Sequence, residues 1–441
     1  MRDRLIKGSF WAVLSRVLAI GLGVVTNALL ARMLSPAEMG AYFLAISIIT
    51  AFSTLAQIGL PQVVVRLVAE SISLNLLGRA KQVIEKSILL VCLSGAILAL
   101  LFYFIIGNFL ATYVLHSNNL QLIVGMVATS ILVISLQGVV TEAFRGLHDL
   151  RTASLVSSVI TSVIFVSSLV FLWINAKHLS LQQVFLLTLV SSVATLFISS
   201  TFLGTKFSDI NERGITDYKD LIFIGWPLCI INLTIFIATQ ADLWIAGAFL
   251  YDKDVAIYGA VQRLLLLMTM THTLVVSVAQ SSVAELYIKA QKEKLQTLIQ
   301  GFTFAACLPA AVILVTLLFF GADILEFIFS EYYRKGFNSL LVLALGQFVS
   351  MLLGPGDMVL MMTGFQKQLM LLIVLTSVIR VVLGIALTHN IGLLGLATAW
   401  AVGAIVQSLL VKSACFKLTG VKTNVDFVAT VKLLQVYRNL K

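Results

Sequence analysis

The feature that most constrains this chain is a series of apolar segments, each about twenty residues long, recurring from one end to the other. That length matches a bilayer core of about 30 Å at the rise of an α-helix. The segments are read at 9–30, 40–60, 84–106, 119–142, 153–174, 183–203, 221–241, 256–283, 297–320, 339–362, 369–388 and 391–414. Lipid offers no hydrogen bonds, so each segment must satisfy its own backbone groups and is expected to be helical. Composition agrees: 59% of residues are hydrophobic and 11% charged, against about 45–50% and about 25% in soluble domains. Too few charges remain to coat a water-facing surface. The fold class expected is an all-α polytopic membrane protein of about 12 transmembrane helices in two pseudo-symmetric six-helix bundles.

Basic residues set the expected orientation, because cytoplasmic loops collect Lys and Arg. With the N-terminus cytoplasmic, 22 of the 30 Lys and Arg fall on inside segments and five on outside loops: Arg32, Lys177, Lys253, Arg334 and Lys335. The other three, Arg16, Arg263 and Arg380, lie within spans. Both termini are therefore expected inside, and the net charge of +10 is a topological signal and not a nucleic-acid footprint. Arg2, Arg4 and Lys7 precede the first apolar run in the manner of a signal peptide. Arg16 interrupts that run and no cleavage site follows, so the segment is read as a retained first helix.

The chain also echoes itself. Leu34, Glu38 and Tyr42 after the first span match Leu250, Asp254 and Tyr258 after the seventh at an offset of 216. Gly138 and Gly146 match Gly356 and Gly364 at an offset of 218. Two six-span halves of the same topology would be parallel repeats, with a substrate path in the cleft between them. The expected organisation is a bundle at 1–210, a second at 211–415 and a cytoplasmic basic tail at 416–441.

Charges inside an apolar span are expensive and need a reason. Ser9, Arg16, Gly23 and Asn27 share a stripe of the first helix. Such a stripe either walls a cavity that meets an anion, with the planar guanidinium bonding two oxygens, or lets Arg16 snorkel to the interface. Span 7 places Asn232, Thr239 and Asp242 on one face, with Asp242 either a coupling site or an interfacial acid. Pro227 near its start is compatible with a first helical turn. Arg263 and Arg380 are the other in-span cations, and Arg380 shares a face with Ser377 and Gly384. His272, nine residues past Arg263, falls on the opposite face, so one cavity is expected to take Arg263 in its place. Gly354-Pro355-Gly356-Asp357 weakens span 10, and Ser350 and Asp357 share a face there; Pro355 and Asp357 are read as gating or coupling residues. The Ser/Thr stripe of span 5, including Ser154 and Thr161, suits close helix packing.

Cys92, Cys229, Cys307 and Cys415 lie in or beside apolar stretches with no C-x-x-C spacing, so no disulfide framework or metal site is expected. No Walker A, G-x-S-x-G or H-E-x-x-H pattern occurs. Neither a cofactor nor a resident metal is expected, and an ATP-driven pump is excluded on the first of these absences.

Gly8-Ser9-Phe10-Trp11, Leu14-Ser15-Arg16-Val17-Leu18, Leu30-Ala31-Arg32-Met33-Leu34-Ser35-Pro36 and Gly40-Ala41-Tyr42 resemble the opening of polysaccharide-unit flippases. These are the Wzx-type members of the multidrug/oligosaccharidyl-lipid/polysaccharide (MOP) exporter superfamily. The turns Phe144-Arg145-Gly146-Leu147 and Gly364-Phe365-Gln366-Lys367 also fit. The resemblance implies two MATE-like bundles around a cationic cavity, working by alternating access. It implies a cargo of undecaprenyl-diphosphate-linked oligosaccharide, moved across the bacterial inner membrane, with the bilayer and other polysaccharide-assembly proteins as partners. It implies no nucleic acid. Arg16 matches a cavity arginine of the related lipid II flippases. On this reading Arg16, Asn27, Asn232, Arg263 and Arg380 line the substrate cavity, and the three arginines are expected to stabilise the diphosphate.

Three other readings stay open, one of them a structural scaffold within a polysaccharide-assembly complex, which would not need the in-span cations. A proton- or sodium-coupled multidrug exporter of the same superfamily would bind organic cations through buried carboxylates. A membrane polysaccharide polymerase or glycosyltransferase would need paired acids on an outer loop, and Asp323, Glu326 and Glu331 are the acids available there.

Overall fold

The computed structural model describes residues 18–19, 21–175, 178–207 and 217–425, and Arg16 lies outside the described residues. Among these, every regular element is helical. Ten helices are long and apolar enough to cross a bilayer. The short helix α1 (Gly21–Met33) stands where the first span was expected. Then come α2 (Pro36–Ala56), α3 (Leu60–Ser73), α4 (Leu77–Val114) and α5 (Asn118–Gln121). Next are α6 (Val124–Gly146), α7 (Leu150–Ile174), α8 (Leu181–Phe207) and α9 (Tyr218–Phe249). The 37-residue α10 (Asp252–Ile288) occupies the place of the eighth span. It is followed by α11 (Lys292–Ile328), a 3-10 turn (Glu331–Gly336), α12 (Phe337–Leu352) and α13 (Gly356–Met362). The series closes with α14 (Gln366–Ile391) and α15 (Leu393–Thr419).

Local chemistry fixes several ends. Ser35 caps α2 by a reciprocal box: its Oγ accepts from Glu38 N at 3.3 Å, and its own N donates to Glu38 Oε2 at 2.9 Å. Pro36 sits in the first turn, where a missing N–H costs nothing. Asp149 caps α7, accepting from Thr152 N at 3.1 Å. Pro227 departs from the sequence expectation. Capped by Asp217, α9 begins at Tyr218, so Pro227 lies inside the helix and not in its first turn. An interior proline removes one ladder hydrogen bond.

The repeat extends to the helix ends. Starts at 36 and 252, and at 150 and 366, are 216 residues apart, as are the ends at 33 and 249 and at 146 and 362. The halves differ in where they break. The first interrupts the span after α2 at residues 57–59, whereas its counterpart α10 runs unbroken. The second interrupts span 10 at residues 353–355, whereas α6 runs unbroken. Hence α3, an amphipathic helix burying Val63, Val64, Leu67 and Val68, is the continuation of span 2 beyond its break.

Packing divides the chain into two compact units, Met1–Ala256 and Ile257–Lys441. In the first, α9 lies against α2 and α3, so the packing boundary falls later than the repeat boundary expected near residue 210. A Cβ on Gly225 of α9 would come within 2.5 Å of Ile58 O, so two backbones meet there. Small residues serve this purpose in lipid, where burial of apolar side chains between helices gains little over the tails. The second unit does the same at Gly346, where a Cβ would lie 2.6 Å from that of Ala401. Outward faces are apolar: Phe197 is 71% exposed and Phe319 76%. That is the surface a bilayer requires.

Candidate functional site

The second unit holds a cavity of about 330 Å³. One wall is a stripe of α10 that carries Gln262, Leu265, Thr269 and His272, spaced three or four residues apart so that they share a face. Opposite it stand Gln347, Ser350 and Met351 from α12, then Gly354 and Asp357 at the break into α13. Arg380 of α14 and Trp400, Gln407 and Ser408 of α15 complete the polar lining.

Several of these polar groups are held by hydrogen bonds to neighbouring side chains. A Cβ on Gly403 would lie 2.2 Å from Arg380 Cγ, so the glycine opens the groove that the arginine stem crosses. The guanidinium reaches Gln407 one turn further, its Nη2 donating to Oε1 at 2.8 Å. Arginine has no acceptor, which fixes the amide with its oxygen toward Arg380. Thr376 Oγ1 donates to the same oxygen at 3.4 Å. Ser350 and Ser408 share a hydrogen bond that ties α12 to α15. Gln262 donates to the Tyr258 hydroxyl at 3.1 Å.

Span 10 is open where it borders this cavity. Leu353, Gly354 and Pro355 are not helical, so nearby carbonyls lose their ladder partners. The chain after α15 folds back to replace them. Thr423 Oγ1 donates to Leu353 O at 2.8 Å and Val425 N to Leu352 O at 3.1 Å. Thr303 of α11 anchors this strap by donating to Thr423 O at 3.1 Å. Thr423 is fully buried.

Two residues expected from sequence, Arg380 and Asp357, are thus in one cavity, with Pro355 at the break beside Gly354. Arg263 is half-buried on α10 but is not part of the lining, whereas His272 is. Asn27, Asn232 and Asp242 belong to the first unit. Asn232 exchanges hydrogen bonds with Gln62 at 3.3 and 3.4 Å, and Asn27 Nδ2 donates to Gly23 O at 2.6 Å. Asp242 is 3% exposed, and its Oδ1 accepts from Leu243 N at 2.9 Å. Sequence reasoning missed Gln262, Gln347 and Gln407, although amides inside apolar spans were there to be seen. Among the described residues no group of three His, Cys, Asp or Glu could hold a metal.

The span 5 stripe packs as expected. Thr161 Oγ1 donates to Thr195 Oγ1 of α8 at 3.0 Å and accepts from Gln137 of α6 at 3.1 Å. The acids at the end of α11 are engaged too, with Arg334 bridging Asp323 at 3.1 Å and Glu326 at 2.6 Å.

Comparison with known proteins adds four findings. A family model described as "Polysaccharide biosynthesis protein" matches residues 5–283. A Shigella flexneri protein named "Putative O-antigen transporter" is 24% identical over 429 residues, which is 95% of this chain and all of that protein. Among solved structures, the inward-facing form of a MATE-family multidrug resistance transporter of the MOP superfamily superposes with a TM-score of 0.70 at 15% identity, covering 92% of this chain and 99% of that one. A MOP superfamily transporter from Pyrococcus furiosus, described as having a binding pocket of reverse polarity, gives 0.59 at 14% identity over 95% of each chain. At such identities these likenesses show the fold alone.

Proposed function

Because the chain belongs to the polysaccharide biosynthesis protein family, we propose that it is a flippase for an undecaprenyl-diphosphate-linked oligosaccharide repeat unit. It carries that unit from the cytoplasmic to the outer leaflet of the bacterial inner membrane by alternating access, with both termini cytoplasmic. The observation that carries this reading is a cavity lined by Arg380, Asp357, His272 and three glutamines inside a body whose outer faces are apolar. Buried polar groups on this scale are costly in lipid unless a polar cargo meets them. The isoprenyl tail needs no cavity, because it stays in the bilayer while the polar head crosses. The Shigella relative, matched along its full length, supports the same cargo class.

Arg16 is assigned to the diphosphate, which its planar fork can bind through two oxygens. Asn27, Asn232, Arg263 and Arg380 are assigned to the polar path, and Asp242, Asp357 and Pro355 to coupling or gating. Complementation tests the reading. In a strain lacking its own flippase and making a matched repeat unit, the wild type restores surface polysaccharide. Arg16→Ala, present in the membrane at equal level, restores at least tenfold less. Wild type that restores none in such a host contradicts the assignment. Rescue by Arg16→Ala equal to wild type returns Arg16 to an interfacial role.

A further inference from the structure

We infer that the cavity of the second unit is a sugar subsite, taking a pyranose ring of the cargo's glycan and not its diphosphate. The inference rests on the flippase reading and divides its substrate between places.

Charge argues first. A diphosphate brings two negative charges and demands an excess of cationic donors. Here Arg380 shares the cavity with the carboxylate of Asp357, and its guanidinium already donates to Gln407 at 2.8 Å. His272 adds at most one positive charge. With neutral imidazole the formal charges of the lining cancel. A dianion placed there would meet the like charge of Asp357 as well as the opposite charge of Arg380. An organic cation fares no better, because Arg380 opposes it.

Hydrogen-bonding capacity argues next. Gln262, Gln347 and Gln407 reach the lining from three helices, and each amide carries both donors and an acceptor. Ser350 and Ser408 add hydroxyls. A sugar hydroxyl is likewise donor and acceptor at once, so amides and hydroxyls match it without any net charge. The remaining lining supplies the other half of the match. Trp400, Leu265 and Met351 present apolar surface to the C–H faces of a ring. An isoprenyl chain would displace water from this polar lining and offer it no hydrogen bond in return.

Size argues last. A volume of about 330 Å³ lies at the small end of ligand pockets, which run from about 300 to 1,000 Å³. It admits a sugar or two and excludes a whole lipid-linked unit.

The test uses the full chain in lipid nanodiscs and two soluble probes. One is the free glycan released from the repeat unit of a complemented host; the other is inorganic pyrophosphate. Saturation-transfer NMR reads contact between protein and glycan. We expect the wild type to bind the glycan and pyrophosphate in excess to leave that signal in place. Gln262→Leu and Gln347→Leu, on different helices and close in shape to the parent, should each weaken binding at least tenfold. The inference is overturned if pyrophosphate displaces the glycan, if both variants bind like wild type, or if the wild type shows no glycan contact. If in any of those cases the wild type still moves the lipid-linked unit in vesicles, the flippase reading stands without its sugar subsite. If the wild type moves no such unit, the reading itself fails and takes the subsite with it.

Discussion

Asp149 shows how much one side chain outside the spans holds together. Its carboxylate caps α7 through Thr152 N and pairs with Lys206 at the end of α8. Partial burial works against its charge, but the hydrogen bonds from Lys206 and Thr152 win and hold its pKa below the usual value. A depressed folded pKa means stability that is present above the unfolded pKa and lost as pH falls through the folded one. Asp149→Asn keeps the cap, because Asn and Asp cap equally well, and removes only the charge. The expected loss is about 0.5 kcal/mol at neutral pH for a partly exposed pair. Thermal melts in detergent should show that gap at pH 7 and its disappearance well below pH 4. A gap that persists in acid would assign the effect to something other than the ion pair. At this scale the sequence was read through its charges. Arg380 and Asp357 were found that way, since a formal charge stands out in an apolar run. The glutamines were not singled out, although Asn27 and Asn232 were, because their convergence depends on three helices meeting.

At the scale of elements, spans were legible because lipid leaves few alternatives to helix. Helix lengths were not. The apolar core fixes only about 20 residues, yet α4 spans 38 and α11 spans 37. The break in span 10 could be anticipated from Gly354-Pro355-Gly356, but the strap that closes it could not, since nothing local announces that Thr423 returns to Leu353. Two glycines test the strap. Gly354 and Gly364 both hold positive φ, +84° and +91°. A Cβ on Gly364 meets nothing within 4 Å, whereas one on Gly354 would lie 1.9 Å from Thr423 O. Gly364→Ala should therefore cost about 1 kcal/mol of backbone strain. Gly354→Ala should cost at least about 2 kcal/mol, because the strap must also be displaced. Equal melting shifts for the two would mean that the strap is not bound at the break.

For the whole molecule, helix starts and ends recur at an offset of 216 residues, and the break falls in a different span of each copy. The export reading carries an energetic consequence. Moving one charge through 100 mV is worth about 2.3 kcal/mol, so a diphosphate with two uncompensated charges gains roughly 4–5 kcal/mol on leaving a negative interior. Flipping in vesicles at fixed pH should accelerate as an inside-negative potential is imposed. A rate indifferent to potential would mean that protein cations travel with the cargo or that another gradient drives it.

The central claim is that this protein moves a lipid-linked glycan between leaflets. Purified protein in vesicles loaded with that lipid, probed by a membrane-impermeant reagent that reacts with sugars on the outer face only, tests it most directly. The account predicts that the reactive fraction rises with time only when the wild-type protein is present. Vesicles with protein that match protein-free vesicles, while expelling an organic cation instead, would contradict it and leave a drug exporter on the same fold.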